Sequence, residues 1–327
     1  MPDGILLLPI ALIVCLAFNY FTKEKENIKG TALRCSRGIL RTNLRIMLFL
    51  VVSIIGVTFV FGILETVGAR YASKDLPSVV GSLGPFLALL TVIMISEYFF
   101  IAIDKKGTLG LSFSKTRARE GLEGVMYGAL ILIACLLPAI ITKSIDPFAM
   151  MAERLDPSVL SNWLGMLVIA ALFEEVVFRG YVFRTMTYTC PLWVPLSLTS
   201  LLFSWVHWEQ AAAIQEGSLL LSIFKINVFL AGWLMAKLVL RTGNLWYAWW
   251  WHFSWNFTQG PIFGISVSGT EIGTNFGAIY SDSGINWITG GGIGIEASIP
   301  ATAILYIAIL KEKEILNFFR KKEATTV

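Results

Sequence analysis

Apolar residues run along this chain in long, nearly unbroken blocks. They do not follow the period of two that marks a half-buried strand, or the spacing of three to four that marks a surface helix. A bilayer core about 30 Å thick takes roughly 20 apolar helical residues. Blocks of that kind fall at 4–22, 46–68, 80–103, 121–142, 163–183, 191–208, 218–240, 244–260 and 296–310. The last two are short, and 244–260 is dense in tryptophan. Backbone groups cannot stay unpaired in hydrocarbon, so each block is expected to be a helix. The expected fold class is therefore all-α: a polytopic transmembrane helical bundle of about eight to nine spans.

Composition strengthens the picture. Of 327 residues, 56% are hydrophobic and 15% charged, against about 25% charged in soluble domains; the mean hydropathy is +0.70. The opening stretch MPDGILLLPIALIVCLAF lacks a basic leader and a small-x-small cleavage site, so it is expected to remain as a membrane helix. Cys15, Cys35, Cys135 and Cys190 show no CxxC spacing, which speaks against a disulfide framework and a thiolate metal site.

The net charge of +4 becomes informative once it is distributed over loops. If loops alternate sides, 21 of the 26 Lys and Arg fall on one side, and Lys225 lies inside a span. The positive-inside rule then places the C-terminus in the cytoplasm and the N-terminus outside, in a cell membrane crossed many times. No feature points to nucleic acid as a partner. Residues 259–295 hold ten glycines and no Lys or Arg. The run Gly290–Gly294 lacks the strand and helix that a phosphate-binding loop needs, and a flexible outer loop is expected there.

Charge within a membrane span costs on the order of 3 kcal/mol or more, so groups kept there are paired or used. Both histidines of the chain, His207 and His252, lie in apolar spans, as does Glu174-Glu175 in LVIAALFEEVVFRGYVF. Glu175 and Arg179 are four apart with the acid first, the better order for a helical ion pair. Glu174 points about 100° away, beside Ala170, Ala171 and Phe178, where no cation of its own helix is expected to reach it. A carboxylate in such surroundings suits proton transfer near neutral pH. His252 and Asn256 share a helical face and can aim two donors at one point, as a developing oxyanion requires. Read alone, His207 could be an interfacial residue. It falls near the outer end of 191–208, one to two turns off the depth of Glu174 and His252, which a tilt or a later start of that helix would close.

These residues carry a resemblance. Glu174-Glu175-Val-Val-Phe-Arg179-Gly180, then Phe203-x-x-x-His207, then His252-x-x-x-Asn256 resembles the type II CAAX prenyl endopeptidases, within the superfamily of CAAX proteases and bacteriocin-processing or self-immunity (Abi) proteins. It covers about residues 160–260. The chain thus reads as N-terminal helices without an assignable motif (1–159), CAAX-protease-like helices (160–260), and a Gly-rich loop, last span and basic tail (261–327). The resemblance implies a hydrolase performing intramembrane proteolysis on an apolar or prenylated peptide or protein, with membrane lipid around it. It also implies that Glu174 and His207 activate a water, that His252 and Asn256 stabilise the oxyanion, and that Glu175 and Arg179 support them. One position departs: many members carry an asparagine four residues after the first histidine, where this chain has Ala211.

Glu174, His207 and His252 could instead form a His₂Glu zinc site. The chain has no HExxH, and a zinc site would take Glu174 as a ligand and leave Glu175 as base, so a metal-free mechanism is favoured. A non-catalytic immunity or scaffold protein on the same fold and a proton-coupled transporter compete. The completeness of the site argues against the first, and the absence of an evident repeat against the second. Trp246 and Trp249 fit an interfacial belt. Trp250, Trp251 and Trp255 fit either a belt or a groove for an apolar substrate.

Overall fold

The computed structural model describes residues 42–70, 76–105, 107–146, 157–270, 279–280 and 285–321. The expected first span, 4–22, lies outside them. Where the blocks are described, they are helices. The first is α1 (Thr42–Arg70), followed by α2 (Leu76–Tyr98), which continues as a π turn over Phe99–Asp104. Next come α3 (Lys115–Ile141) and α4 (Pro157–Glu175), which runs through a π turn at Val176–Gly180 into α5 (Tyr181–Thr187). Then come α6 (Trp193–Ala212), α7 (Ser218–Thr242) and α8 (Trp246–Phe257), which ends in a π turn at Thr258–Ile262. A short α9 (Asn286–Thr289), two 3₁₀ turns and α10 (Ile299–Lys321) complete the order. A two-residue antiparallel pair joins Ile145–Asp146 to Ile279–Tyr280.

Four of the described helical stretches are long and apolar enough to cross a membrane: Thr42–Val67, Leu83–Asp104, Lys115–Ile141 and Ser218–Thr242. The expected spans at 163–183, 191–208, 244–260 and 296–310 also form helix but are not among these four, so the count of eight to nine spans is not confirmed. Polar and charged residues weaken α6 and α10 by this measure, and α8 is only 12 residues long.

The chain divides into two compact units: residues 1–111 with 172–198, and 112–171 with 199–327. In the first, Phe49, Phe99, Phe100 and Tyr181 form an aromatic cluster. Beside it Arg45 is ion-paired with Asp104, which also accepts a hydrogen bond from Tyr181 (3.3 Å).

In the second unit α3 and α8 pack backbone to backbone. Gly121, Gly124 and Gly128 are three and four residues apart and so share one helical face. A Cβ at Gly124 would lie 2.5 Å from the Tyr247 carbonyl oxygen, and one at Gly128 only 2.2 Å from Ser254 Oγ and 2.4 Å from the Trp251 carbonyl. Small residues that let helices approach closely are the usual means of association in lipid, where burial of apolar surface gives little drive. Asn244 fixes the start of α8: its Oδ1 accepts from Trp246 N–H (2.9 Å) while its amide donates to Glu120 (2.7 Å). On the other face of α8, Phe253, Trp249 and Trp250 pack with Leu167 and Ala171 of α4. Lys225 lies over the Trp208 ring at 3.4 Å, a cation–π contact that suits a lone ammonium in an apolar span.

Candidate active site

The second unit encloses a small cavity. Its walls come from five places: Phe203 and His207 on α6, Asn227 on α7, Trp251, His252, Trp255 and Asn256 on α8, Ser268 with Glu296 from the loop between α8 and α10, and Leu305 on α10. The cavity measures about 40 Å³, room for two or three waters. It is water-sized rather than peptide-sized.

Each wall is positioned for a stated reason. The i, i+4 spacing of His252 and Asn256 holds in the observed helix, His252 being buried and Asn256 half-buried. Trp251 and Trp255 are buried and stacked at 5.4 Å; both line the cavity, whereas Trp249 donates to the Val168 carbonyl (2.9 Å). Helix α6 runs on to Ala212, four residues past the expected end of its span, so His207 lies more than a turn inside the helix.

His207 Nδ1 lies 2.8 Å from the Phe203 carbonyl oxygen one turn earlier. A carbonyl can only accept, so Nδ1 carries the proton and the lone pair of the neutral ring is on Nε2. Phe203 packs against both imidazoles, 4.4 Å from the His207 ring and 5.7 Å, edge-on, from that of His252.

Sequence reasoning missed Glu296, which fell on the boundary between the expected outer loop and the expected last span. The structure corrects both expectations. Helix α10 starts at Ile299, and Ile288–Ala297 is compact and largely buried rather than a flexible loop. Glycine makes this folding feasible: Gly290 and Gly294 have φ of 84° and 104°, and a Cβ on either would collide with backbone oxygen. Val267 and Thr270 close a two-residue hairpin turn through paired backbone hydrogen bonds (3.0 and 2.8 Å), with Ser268 and Gly269 both at positive φ. That turn points the N–H and hydroxyl of Ser268 at Glu296 Oε2, at 2.5 and 3.1 Å. Asn227 holds the other side. Its amide donates to the carbonyls of Glu296 and Ser298 (2.8 Å each), and its Oδ1 accepts from Thr302 (2.6 Å).

Glu174, Glu175 and Arg179 belong to the first unit. The expected ion pair is there: Arg179 Nη1 donates to Glu175 Oε1 at 3.0 Å, with both side chains fully buried. The expectation that no cation of the same helix reaches Glu174 is not met, because Arg179 interacts electrostatically with both glutamates. The reason is the π turn over 176–180. Its i→i+5 bonding turns less per residue than an α-helix, so the step of about 100° that a regular helix puts between neighbouring residues does not hold there. Glu174 is half-buried. Among the described residues, no group of three His, Cys, Asp or Glu side chains is arranged to hold a metal ion.

Residues 156–258 match the model of a family described as type II CAAX prenyl endopeptidase, Rce1-like. The match spans just under a third of the chain; it takes in Glu174, Glu175, Arg179, His207, His252 and Asn256 and stops short of Glu296. No curated protein and no solved structure matches the chain.

Proposed function

We propose that this chain is an intramembrane endopeptidase of the CAAX-protease kind. It would hydrolyse a peptide bond of an apolar or prenylated substrate with a water activated by Glu174 and His207. The observation that carries the reading is the convergence of both histidines and Asn256 on one buried, water-sized cavity, with all three inside the stretch that matches a protease family. The site in this reading lies in a cell membrane, with the basic C-terminus in the cytoplasm.

The chemistry runs as follows. The attacking oxygen bonds to the scissile carbonyl carbon while its proton passes to the basic pair, and the lone pair on His207 Nε2 is the base that the Phe203 contact selects. The carbonyl oxygen takes up the electron pair as an oxyanion. His252 and Asn256, one helical turn apart, supply donors for it. Collapse of the tetrahedral species breaks the C–N bond, and the stored proton goes to the departing amine. Glu174 enters this scheme through the resemblance, and Glu175 with Arg179 as supporting residues. No metal takes part in the reading.

The test is cleavage of quenched apolar and prenylated peptides by purified protein in lipid nanodiscs, comparing the wild type with Glu174→Ala. Turnover by the wild type alone, undiminished by chelator, is the expected outcome. Equal turnover by both removes Glu174 from the chemistry. Loss in chelator restored by zinc overturns the metal-free scheme, and no turnover by the wild type favours an immunity or scaffold protein.

A further inference from the structure

Among the described residues, Glu296 is the one carboxylate lining the cavity, and no lysine or arginine lines it. A carboxylate taken from water costs several kcal/mol unless hydrogen bonds and a partner charge offset that cost. The hydrogen bonds are visible: Ser268 N–H and Oγ–H both donate to Oε2, and two donors on one oxygen suit an acceptor-only, ionised carboxylate. The ionisable groups that share the cavity are His207 and His252; burial pushes the Glu296 carboxyl up, and the Ser268 hydrogen bonds and the charge of His207 oppose that rise.

The fold goes to some length to place this acid. Ser268 takes a φ of 49° that a non-glycine residue adopts only when its surroundings enforce it. Gly290 and Gly294 occupy conformations closed to any side chain. Asn227 commits its whole amide to the segment around Glu296.

The same turn lies beside position 211. Ala211 is fully buried, and a Cβ on Gly269 would sit 3.2 Å from its Cα. The turn that presents Ser268 to Glu296 therefore lies against α6 one helical turn beyond His207.

We infer that Glu296 is a positioning residue for His207. Its carboxylate shares the cavity with the imidazole and stabilises the imidazolium formed when Nε2 takes the proton of the attacking water. The use of that proton rests on the endopeptidase reading; the pairing of acid and imidazole does not. Glu296 acts through its field rather than through a hydrogen bond to the ring, since Nδ1 is held by the Phe203 carbonyl and Nε2 is the base. The proton moves from water oxygen to Nε2 and then to the leaving amine, so nothing is oxidised or reduced.

The chain has only two histidines, so ¹⁵N-histidine spectra in nanodiscs show two rings, and a His252→Gln sample tells which is which. Glu296→Gln keeps shape and removes charge. It is expected to shift the His207 ring nitrogens more than those of His252 and to lower kcat about 100-fold with KM unchanged. Glu296→Asp keeps the charge and should recover most of that loss. A His207 signal that coincides in wild type and Glu296→Gln overturns the inference even when both proteins cleave peptide, as does a loss seen in KM alone. Should Glu296→Gln fail to fold, Glu296→Asp still decides, because withdrawing the carboxylate by one methylene must move the His207 signal. Wild-type protein that cleaves nothing sinks the endopeptidase reading and leaves the spectra to judge the pairing.

Discussion

Glu175 and Glu296 are both buried acids, yet they keep different company. Glu175 faces Arg179, with neither side chain exposed at all. A guanidinium stays protonated at any ordinary pH, so the pair has one charge state and one geometry. Glu296 faces Ser268, and beyond it a cavity whose ionisable residues are histidines. Imidazole changes its charge within the physiological range. The first site is therefore built to stay as it is, whereas the second can exchange a proton at little cost. The contrast separates a charge fixed by a neighbour on its own helix from one that faces groups able to change charge. Glu174 stands between the cases, half-buried and within the field of the same arginine.

The largest effects should come from residues assigned to chemistry. Glu174→Ala and His252→Ala are expected to lower kcat by about a thousandfold or more, while thermal unfolding in detergent stays close to that of the wild type. A large loss of stability in either would erase the contrast, because these residues would then be structural too. Next comes Arg179→Ala, which strands Glu175 without its counter-charge and should cost about 3–5 kcal/mol of stability. The double variant Glu175→Met/Arg179→Met, which removes both charges while keeping bulk, should regain most of that stability. If it folds and still cleaves, the pair is a brace. If it folds and is inert, the pair belongs to the chemistry and the comparison breaks. Gly128→Val should follow, with overpacking that costs about 1–3 kcal/mol. Its Cβ would press on Ser254 and the Trp251 carbonyl, moving the helix that carries His252, so kcat should fall further than stability alone explains. Equal losses in both would mean that the site tolerates movement of α8.

Much of this was readable from residue order, and what was not has physical causes. Apolar blocks gave the helices because lipid forces backbone pairing within each segment. The i, i+4 rule gave Glu175–Arg179 and His252–Asn256, since both pairings are local. Arg179's second interaction, with Glu174, was hidden by a five-residue π turn whose sequence, Val-Val-Phe-Arg-Gly, carries no sign of the change in pitch. Glu296 was hidden for the opposite reason. Its place depends on contacts 28 and 69 residues away, to Ser268 and Asn227, and on glycines that read as loop rather than as turns closed to every other residue. The ridge of Gly121, Gly124 and Gly128 escaped notice because spacing does not say which helix it meets.

Glu312 offers the mildest test, because its setting resembles that of Glu175 with the arginine's monopoly removed. It sits toward the end of α10 with Lys237 (2.9 Å) and Arg241 (3.1 Å) as partners, and both cations keep contact with solvent while the acid is buried. Burial alone would push its carboxyl up, but the hydrogen bonds and charges of Lys237 and Arg241 outweigh that and hold it below the usual carboxylate range. A carboxyl with a depressed folded value contributes stability that is fully present above its unfolded value, near 4.3, and is lost as pH falls through the folded one. Wild-type protein should therefore lose stability on acidification below about pH 4.3, and Glu312→Gln should flatten that part of the curve while lowering stability slightly at neutral pH. Two solvated cations screen one another's loss, so Lys237→Met or Arg241→Met alone should cost less than Arg179→Ala does. If either equals it, solvent contact rather than the identity of the cation is the wrong variable, and the division between fixed and exchangeable charge has to be drawn elsewhere.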